Sequence, residues 1–300
     1  MILKSPSRRA LLATGLAAGL APSLAPGMAA ATASIDAKLE ALEKRAGGRL
    51  GVSVHGLAAT AGWRADERFA LCSTFKFALA GVVLREAEAG RLSLEERLPI
   101  IEEELRWYAP YVSQRRGEAS LPVLDLAMAA QTTSDNAAAN MLLRRLGGPG
   151  AFTGRLREIG DATTRLDRYE PELNGVRPDD PRDTTTPAAI ASTIRAFLEG
   201  GALTAANADL LFSWMLETNT GLKRLRAGLP DDLAAGDKTG TAFAKGLSGK
   251  INDIAAARTG AGGVVAIAAY YEAPGSSGTL APEHEAVLAD VGRIIGAALR

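Results

Sequence analysis

Apolar positions recur along this chain with two different periods, and the change between them divides it. From Ser34 to Ala46 they fall at Ile35, Leu39 and Leu42, the spacing of one helix face, and Gly47-Gly48 ends the run. Leu50 to His55 alternates as a strand does. A second short strand is expected around Trp63, after the turn-like Ala59-Thr60-Ala61-Gly62. From Ser73 to Ala89 the period is helical again, with Phe77, Ala80, Val83 and Leu84 on one face and Gly90 as the stop. Several more helical stretches follow between Leu94 and Leu216. One long irregular run, Arg165 to Pro187, rich in Pro, Asp, Arg and Thr, interrupts them, and loops of that length are usually functional or disordered. Gly236 to Phe243, Asp253 to Ala257 and Val264 to Tyr271 read as strands, and Glu283 to Leu299 as a closing amphipathic helix. Strands at both ends with helices between predict an α/β domain made by the two termini and an all-α domain inserted into it. The boundaries fall at 34–67 with 219–300, and at 68–218. A cleft between the two is the expected place for a site.

The first 33 residues carry a different signal. Lys4, Arg8 and Arg9 precede an apolar run from Ala10 to Ala21, no acidic residue comes before Asp36, and Ala31-Thr32-Ala33 has the small residues of a cleavage site. The run is shorter than the roughly 20 residues a membrane-spanning helix needs. Ser7 to Leu12 resembles a twin-arginine export signal, without its usual lysine. Export to the periplasm is expected, with no stable membrane association once the leader is removed.

Composition narrows the chemistry. Basic and acidic residues balance at 34 each, so the electrostatic footprint of a nucleic-acid binder is missing. A single cysteine rules out an intramolecular disulfide, and with only two histidines a protein-built zinc site is not expected. His55 and His284 read as structural or exposed residues.

Four short motifs remain. Ser73-Thr74-Phe75-Lys76 sets a hydroxyl and an amine on one face at a helix start. Such a serine is most often a cap, but a desolvated lysine beside it would make it a nucleophile. Ser134-Asp135-Asn136 suits a turn or a cap. Glu170-Pro171-Glu172-Leu173-Asn174 could be a solvated acidic loop. In Lys238-Thr239-Gly240 the glycine marks either a bulge or a close approach.

Taken together and in this order, the four resemble the motif set of the class A serine β-lactamases. Arg168 and Asp183, matching the charged pair that closes the family's Ω-loop (168–183), extend the likeness. So do Arg182 to Pro187 and the Gly236-Asp237 lead-in to Lys238. The resemblance implies a β-lactamase/transpeptidase-like fold, an antiparallel sheet flanked by helices with an inserted all-α domain. It implies hydrolysis of penicillins and cephalosporins through an acyl-enzyme, in a monomer that uses no metal or organic cofactor. By the same resemblance Ser73 is the nucleophile, Lys76 and Glu170 handle its proton, and Ser134 protonates the leaving nitrogen. The backbone N–H groups of Ser73 and Thr241 form the oxyanion hole. Lys238, Thr239, Gly240, Thr241 and Arg224 receive the substrate carboxylate, Asn136 its side-chain amide, Asn174 the hydrolytic water, and Tyr108 is a lip on the cleft.

The alternatives are a penicillin-binding protein or D,D-peptidase, a serine-type glutaminase, and a β-lactam sensor that does not turn over. The first two lack the water-holding Glu and Asn, and a sensor is tethered to the membrane. Two departures stand out. Cys72 has no second cysteine at Ala242, the position that cross-links it in some carbapenem-hydrolysing relatives, so it reads as a small buried hydrophobe. The hairpin Ala242 to Asn252 is longer than the family's usual one, with Lys245 and Lys250 added.

Overall fold

The computed structural model of the protein describes residues 26–57, 60–260, 262–275 and 278–299. The leader expected over 1–33 lies outside them as far as residue 25. Among the described residues no helix is long and apolar enough to cross a membrane.

Helix α1 (Pro26–Ala46) begins earlier than the periodicity predicts and ends where expected. Gly47 and Gly48 follow with φ of +72° and +73°, a conformation that costs glycine little, and turn the chain into β1 (Arg49–His55). β2 (Ala61–Trp63) folds back on β1, and the short β3 (Phe69–Ala70) leads to α2 (Phe75–Glu88). The helical lobe continues with β4 (Arg97–Pro99), α3 (Pro110–Ser113), β5 (Ser120–Pro122), α4 (Val123–Thr132), α5 (Asn136–Arg145) and α6 (Pro149–Glu158). After the long loop come β6 (Thr184–Thr185), α7 (Pro187–Leu198) and α8 (Ala205–Glu217). The chain closes with β7 (Ala234–Ala242), β8 (Lys250–Arg258), β9 (Val264–Glu272) and α9 (Pro282–Gly296).

The main sheet is antiparallel throughout, in the order β2-β1-β9-β8-β7. β1, from the start of the chain, pairs along its whole length with β9 from the end, so both termini build it as predicted. Alternation along β9 separates two cores. Val265, Ile267, Ala269 and Tyr271 pack with residues of α1 and α9, whereas Val264, Ala266, Ala268 and Tyr270 belong to the core shared with the helical lobe. β8 is therefore buried on both faces and runs well past the predicted Asp253–Ala257. Lys250, Asn252 and Asp253 lie inside it as buried polar residues. Lys250 is thus a strand residue and not an addition to the turn, which spans 243–249.

α2 also departs from expectation. Every residue from Phe75 to Leu84 is buried, not just the face of Phe77, Ala80, Val83 and Leu84, because the other helices of the lobe surround it. The irregular run Arg165–Pro187 has a defined shape. Arg168 Nε meets Asp183 Oδ2 at 2.5 Å, while Asp183 Oδ1 accepts the N–H groups of Asp167 and Arg168 at 2.7 and 3.0 Å. β6 then pairs with β3, Phe69 facing Thr185 and Ala70 facing Thr184, which returns the loop to the turn ahead of α2.

Candidate active site

Ser73 stands in a single 3-10 turn, Cys72–Thr74, directly ahead of α2. Cys72 has φ +44°, a strained value for a residue with a side chain. Its small thiol is fully buried with Ala70, Val176 and Ala242, and burial pushes its pKa up to about 12. β7 runs close against this turn. A Cβ on Gly240 would meet the Leu71 carbonyl oxygen at 3.0 Å and Cys72 Cβ at 3.1 Å. Glycine in the Lys-Thr-Gly motif therefore serves the approach of a neighbouring backbone.

Lys76, one helical turn on, projects from the same face as Ser73 and is fully buried. Its ammonium donates to Ser73 Oγ at 3.0 Å, to the Ser134 carbonyl at 2.9 Å and to Asn136 Oδ1 at 2.5 Å, and lies 3.0 Å from Glu170 Oε1. Ser73 Oγ donates to that same Glu170 oxygen at 3.3 Å. Ser134 sits between α4 and α5 with φ +60°. The cap expected of its motif is also real, since Asp135 accepts the Ala138 N–H at 2.8 Å to start α5. One sequence thus both caps a helix and presents Ser134 and Asn136.

From the far side, Lys238 Nζ donates to Ser134 Oγ at 3.0 Å and to the Thr239 carbonyl at 2.8 Å. Burial, and after it the charge of Lys76, lower the Lys238 ammonium to about 7. Glu170 Oε2 accepts from Asn174 Nδ2 at 2.7 Å, so the two oxygens of Glu170 face Ser73 and Asn174 separately. Thr239 Oγ1 pairs with Thr220 Oγ1 at 2.7 Å, and Arg224 Nη2 donates to Thr241 Oγ1 at 2.7 Å. Arg224 is almost wholly buried. Its Nη1 donates to the Gly240 and Asn252 carbonyls at 3.2 and 2.8 Å, and its Nε to Glu285 Oε1 at 3.3 Å. Four of its five N–H groups therefore have partners inside the protein.

The cleft above these groups holds about 480 Å³ and is lined by Ser73, Tyr108, Ser134, Asn136, Thr239 and Thr241, among others. Tyr108 is well exposed at its mouth. The structure thus gathers the sequence-predicted residues, with Lys76 and Lys238 beneath the cleft floor. Three neighbours were not visible in the motifs. Asn140 holds the Glu170 backbone from both sides, its Nδ2 donating to the carbonyl and its Oδ1 accepting the N–H, each at 2.9 Å. Thr220 and Glu285 line the cleft through partners described above. Only Asn140 had a signal, because its position four residues after Asn136 puts both on one face of α5. The histidines take other roles. His284 Nδ1 accepts the Ala281 N–H at 3.3 Å, and His55 faces Ser192 Oγ at 3.4 Å.

The chemistry of this arrangement is that of an activated serine. The hydroxyl has a carboxylate and an amine within hydrogen-bond reach, and a second serine shares that amine with it and holds Lys238 on its other side. Comparison with known proteins agrees. A family model described as the β-lactamase enzyme family matches residues 34–299. The β-lactamase L2 of Stenotrophomonas maltophilia is 44% identical over 258 residues, covering 85% of this chain and 82% of that one. A β-lactamase of Mycobacterium tuberculosis is 41% identical over 264 residues, 86% of this chain and 83% of its own. Among solved structures, an ancestral class A β-lactamase is 46% identical with a TM-score of 0.81, covering 88% of this chain and 99% of the other. A β-lactamase from Xanthomonas campestris is 38% identical with a TM-score of 0.82, covering 90% and 99%.

Proposed function

The chain belongs to the class A β-lactamases, and from that premise we propose that Ser73 opens the β-lactam ring while Lys76, Ser134 and Glu170 move its protons. The reaction is hydrolysis of the β-lactam amide, the chemistry of resistance to penicillins and cephalosporins. In acylation the Ser73 Oγ–H proton leaves for Glu170, directly across 3.3 Å or through Lys76, 3.0 Å from both. The Oγ–C bond forms, the C–N bond breaks, and the departing nitrogen takes the Ser134 hydroxyl proton; the proton held on Glu170 then passes by way of Lys76 to restore that hydroxyl, so that Glu170 is a carboxylate again. In deacylation Glu170 removes a proton from a water held with Asn174. The hydroxide attacks the ester carbon and Ser73 Oγ leaves with a proton returned to it.

The backbone N–H groups of Ser73 and Thr241 receive the oxyanion, and losing one such donor typically costs about 10²–10³ in rate. Lys238, Thr239 and Thr241, along strand β7 with Gly240, take the substrate carboxylate. Arg224 contributes its one free N–H and the alignment of the Thr241 hydroxyl. Asn136 takes the side-chain amide and Tyr108 covers the mouth. We infer further that 34–67 with 219–300 and 68–218 are the two lobes about this cleft, and that the enzyme works as an exported, periplasmic monomer after loss of the leader.

The observation that carries the reading is Glu170, with one oxygen toward Ser73 and the other toward Asn174. Such a carboxylate is what separates turnover from stable acylation. Glu170→Ala is expected to acylate and then deacylate about 10²–10⁴ times more slowly, the usual contribution of a general base. Intact-protein mass spectrometry after a penicillin pulse should show a persistent adduct. Rapid turnover with an unmodified mass would remove Glu170 from this role.

A further inference from the structure

A cavity of about 530 Å³, larger than the cleft, lies behind the loop that carries Glu170. It is enclosed by the segment 176–181, the β7–β8 turn and the ends of β1, β8 and β9. Strand register sets the floor. Arg49 on β1 is directly opposite Glu272 on β9, and Glu272 is directly opposite Lys250 on β8. Cross-strand partners share a face, so cation, anion and cation stand in a row. Glu272 is occupied by Arg49, whose Nε and Nη2 each reach it at 3.0 Å.

Lys250 has no such partner. The residue is only 6% exposed, and among the described residues no carboxylate pairs with it. Its one hydrogen bond there is to the Ser248 carbonyl at 3.4 Å, beyond the usual 2.7–3.2 Å range. It shares a face with Asn252, whose Nδ2 donates to the Ala70 carbonyl at 2.8 Å, so it lies on the side of the sheet that the loop covers. An ammonium has three donors, and burying one without a counter-charge is costly.

The rim adds to the imbalance. Arg68 and Arg177 have no ion pair among the described residues. Arg68 donates only to Thr184 Oγ1 at 3.0 Å and the Thr163 carbonyl at 3.3 Å. Of the acids around the cavity, Glu67 pairs with Arg49 and Arg64, and Asp180 with Arg182, leaving Asp179 alone. The described residues contain no cluster of three acids, histidines or cysteines that would hold a metal ion.

We propose that this cavity binds a small oxyanion of phosphate or sulfate size, held by Lys250 from the floor and by Arg68 and Arg177 from the rim. Such an anion accepts several charge-assisted hydrogen bonds at once and supplies the charge that Lys250 lacks. Its presence ties the segment 176–181 to the end of the sheet. The wall toward the cleft is thin. Ala70 and Val176 line the cavity and pack on Cys72, the neighbour of Ser73.

The test is a titration of the ¹⁵N-labelled enzyme with sodium phosphate, sodium chloride keeping ionic strength constant. Amides of Arg177, Gly246 and Ser248 report the cavity, and those of Thr239 and Thr241 report any anion in the cleft. Saturable shifts are expected in the cavity set, with affinity at least tenfold weaker in Lys250→Met, while the cleft set titrates alike in both proteins. Arg177→Ala, at an exposed position, is the second variant should Lys250→Met fail to fold, and a severalfold loss is expected there. Cavity amides that do not move, or that move equally in wild type and variant, would overturn the site. Because the readout is binding, it stands apart from the assignment of catalytic roles.

Discussion

Lys238 carries a pH dependence that follows from where it sits. Its ammonium lies fully buried between Ser134 Oγ and the Thr239 carbonyl, and burial with the nearby Lys76 charge brings its pKa from the ordinary 10.5 down to about 7. Below that pH the group is a cation that attracts the substrate carboxylate, and above it that attraction is lost. Since kcat/KM reports the free enzyme, it should fall as pH rises through about 7, with a limiting slope of one decade per pH unit. Lys238→Arg, a permanent cation, should flatten this limb, and a wild-type profile that stays level from pH 6 to 9 would contradict it. The motif residues were legible because their chemistry is written in their side chains. The backbone that aims them was not. Cys72, Ser134 and Asp183 all have φ between +44° and +60°, and none of these residue types announces a left-handed conformation as glycine does. Asn140 offered only its spacing from Asn136, since an asparagine inside a helix pattern otherwise looks like any solvated position.

At the scale of elements, the helices are joined by ion pairs whose acids are buried. Glu86, near the end of α2, accepts Arg91 Nη2 at 2.5 Å and Nε at 2.9 Å, and meets Arg155 of α6 at 2.9 Å. The hydrogen bond to Arg91 leads in holding its carboxyl down, to about 2. The stabilisation is therefore full above an unfolded-state pKa near 4.5 and is lost as pH falls toward 2. Glu86→Gln should lower Tm at pH 7, and the gap from wild type should close between about pH 4.5 and 2. A gap that persists unchanged through that window would show that the charge is not what joins α2 to α6. Element boundaries were legible wherever glycine or alternation marked them, as at Gly47-Gly48 and along β9. They failed at the start of β8 because Lys250 and Asn252 look like a turn and are in fact buried strand residues with tertiary surroundings no local pattern reveals. The full burial of α2 was equally out of reach, because its cause is the packing of other helices around it.

For the whole molecule, the decisive feature is that neither end of the chain makes the five-stranded sheet alone. β1 and β2 come from the first part of the chain and β7 to β9 from the last, and the contact between β1 and β9 closes a loop of about two hundred residues. The sequence made this pairing inferable, since strand patterns occurred only at the two ends. It could not show that the helical lobe shares its core with the sheet. Ile254, Ala256, Ala268 and Tyr270 of the strands pack in one cluster with Phe77, Phe197, Trp214 and many residues of the helices. Unfolding the lobe would expose the inner face of the sheet, and opening the sheet would expose the side of the lobe packed on it, so each loses buried apolar area without the other. The two should therefore unfold together despite their different architectures. Variants keeping only Trp63, on β2 at the far edge of the sheet, or only Trp214, within α8, should give the same urea midpoint, coincident with the loss of helical circular dichroism. Midpoints that separate would mean that the lobes are held as independent units, and that the cleft between them is bounded by parts free to come apart.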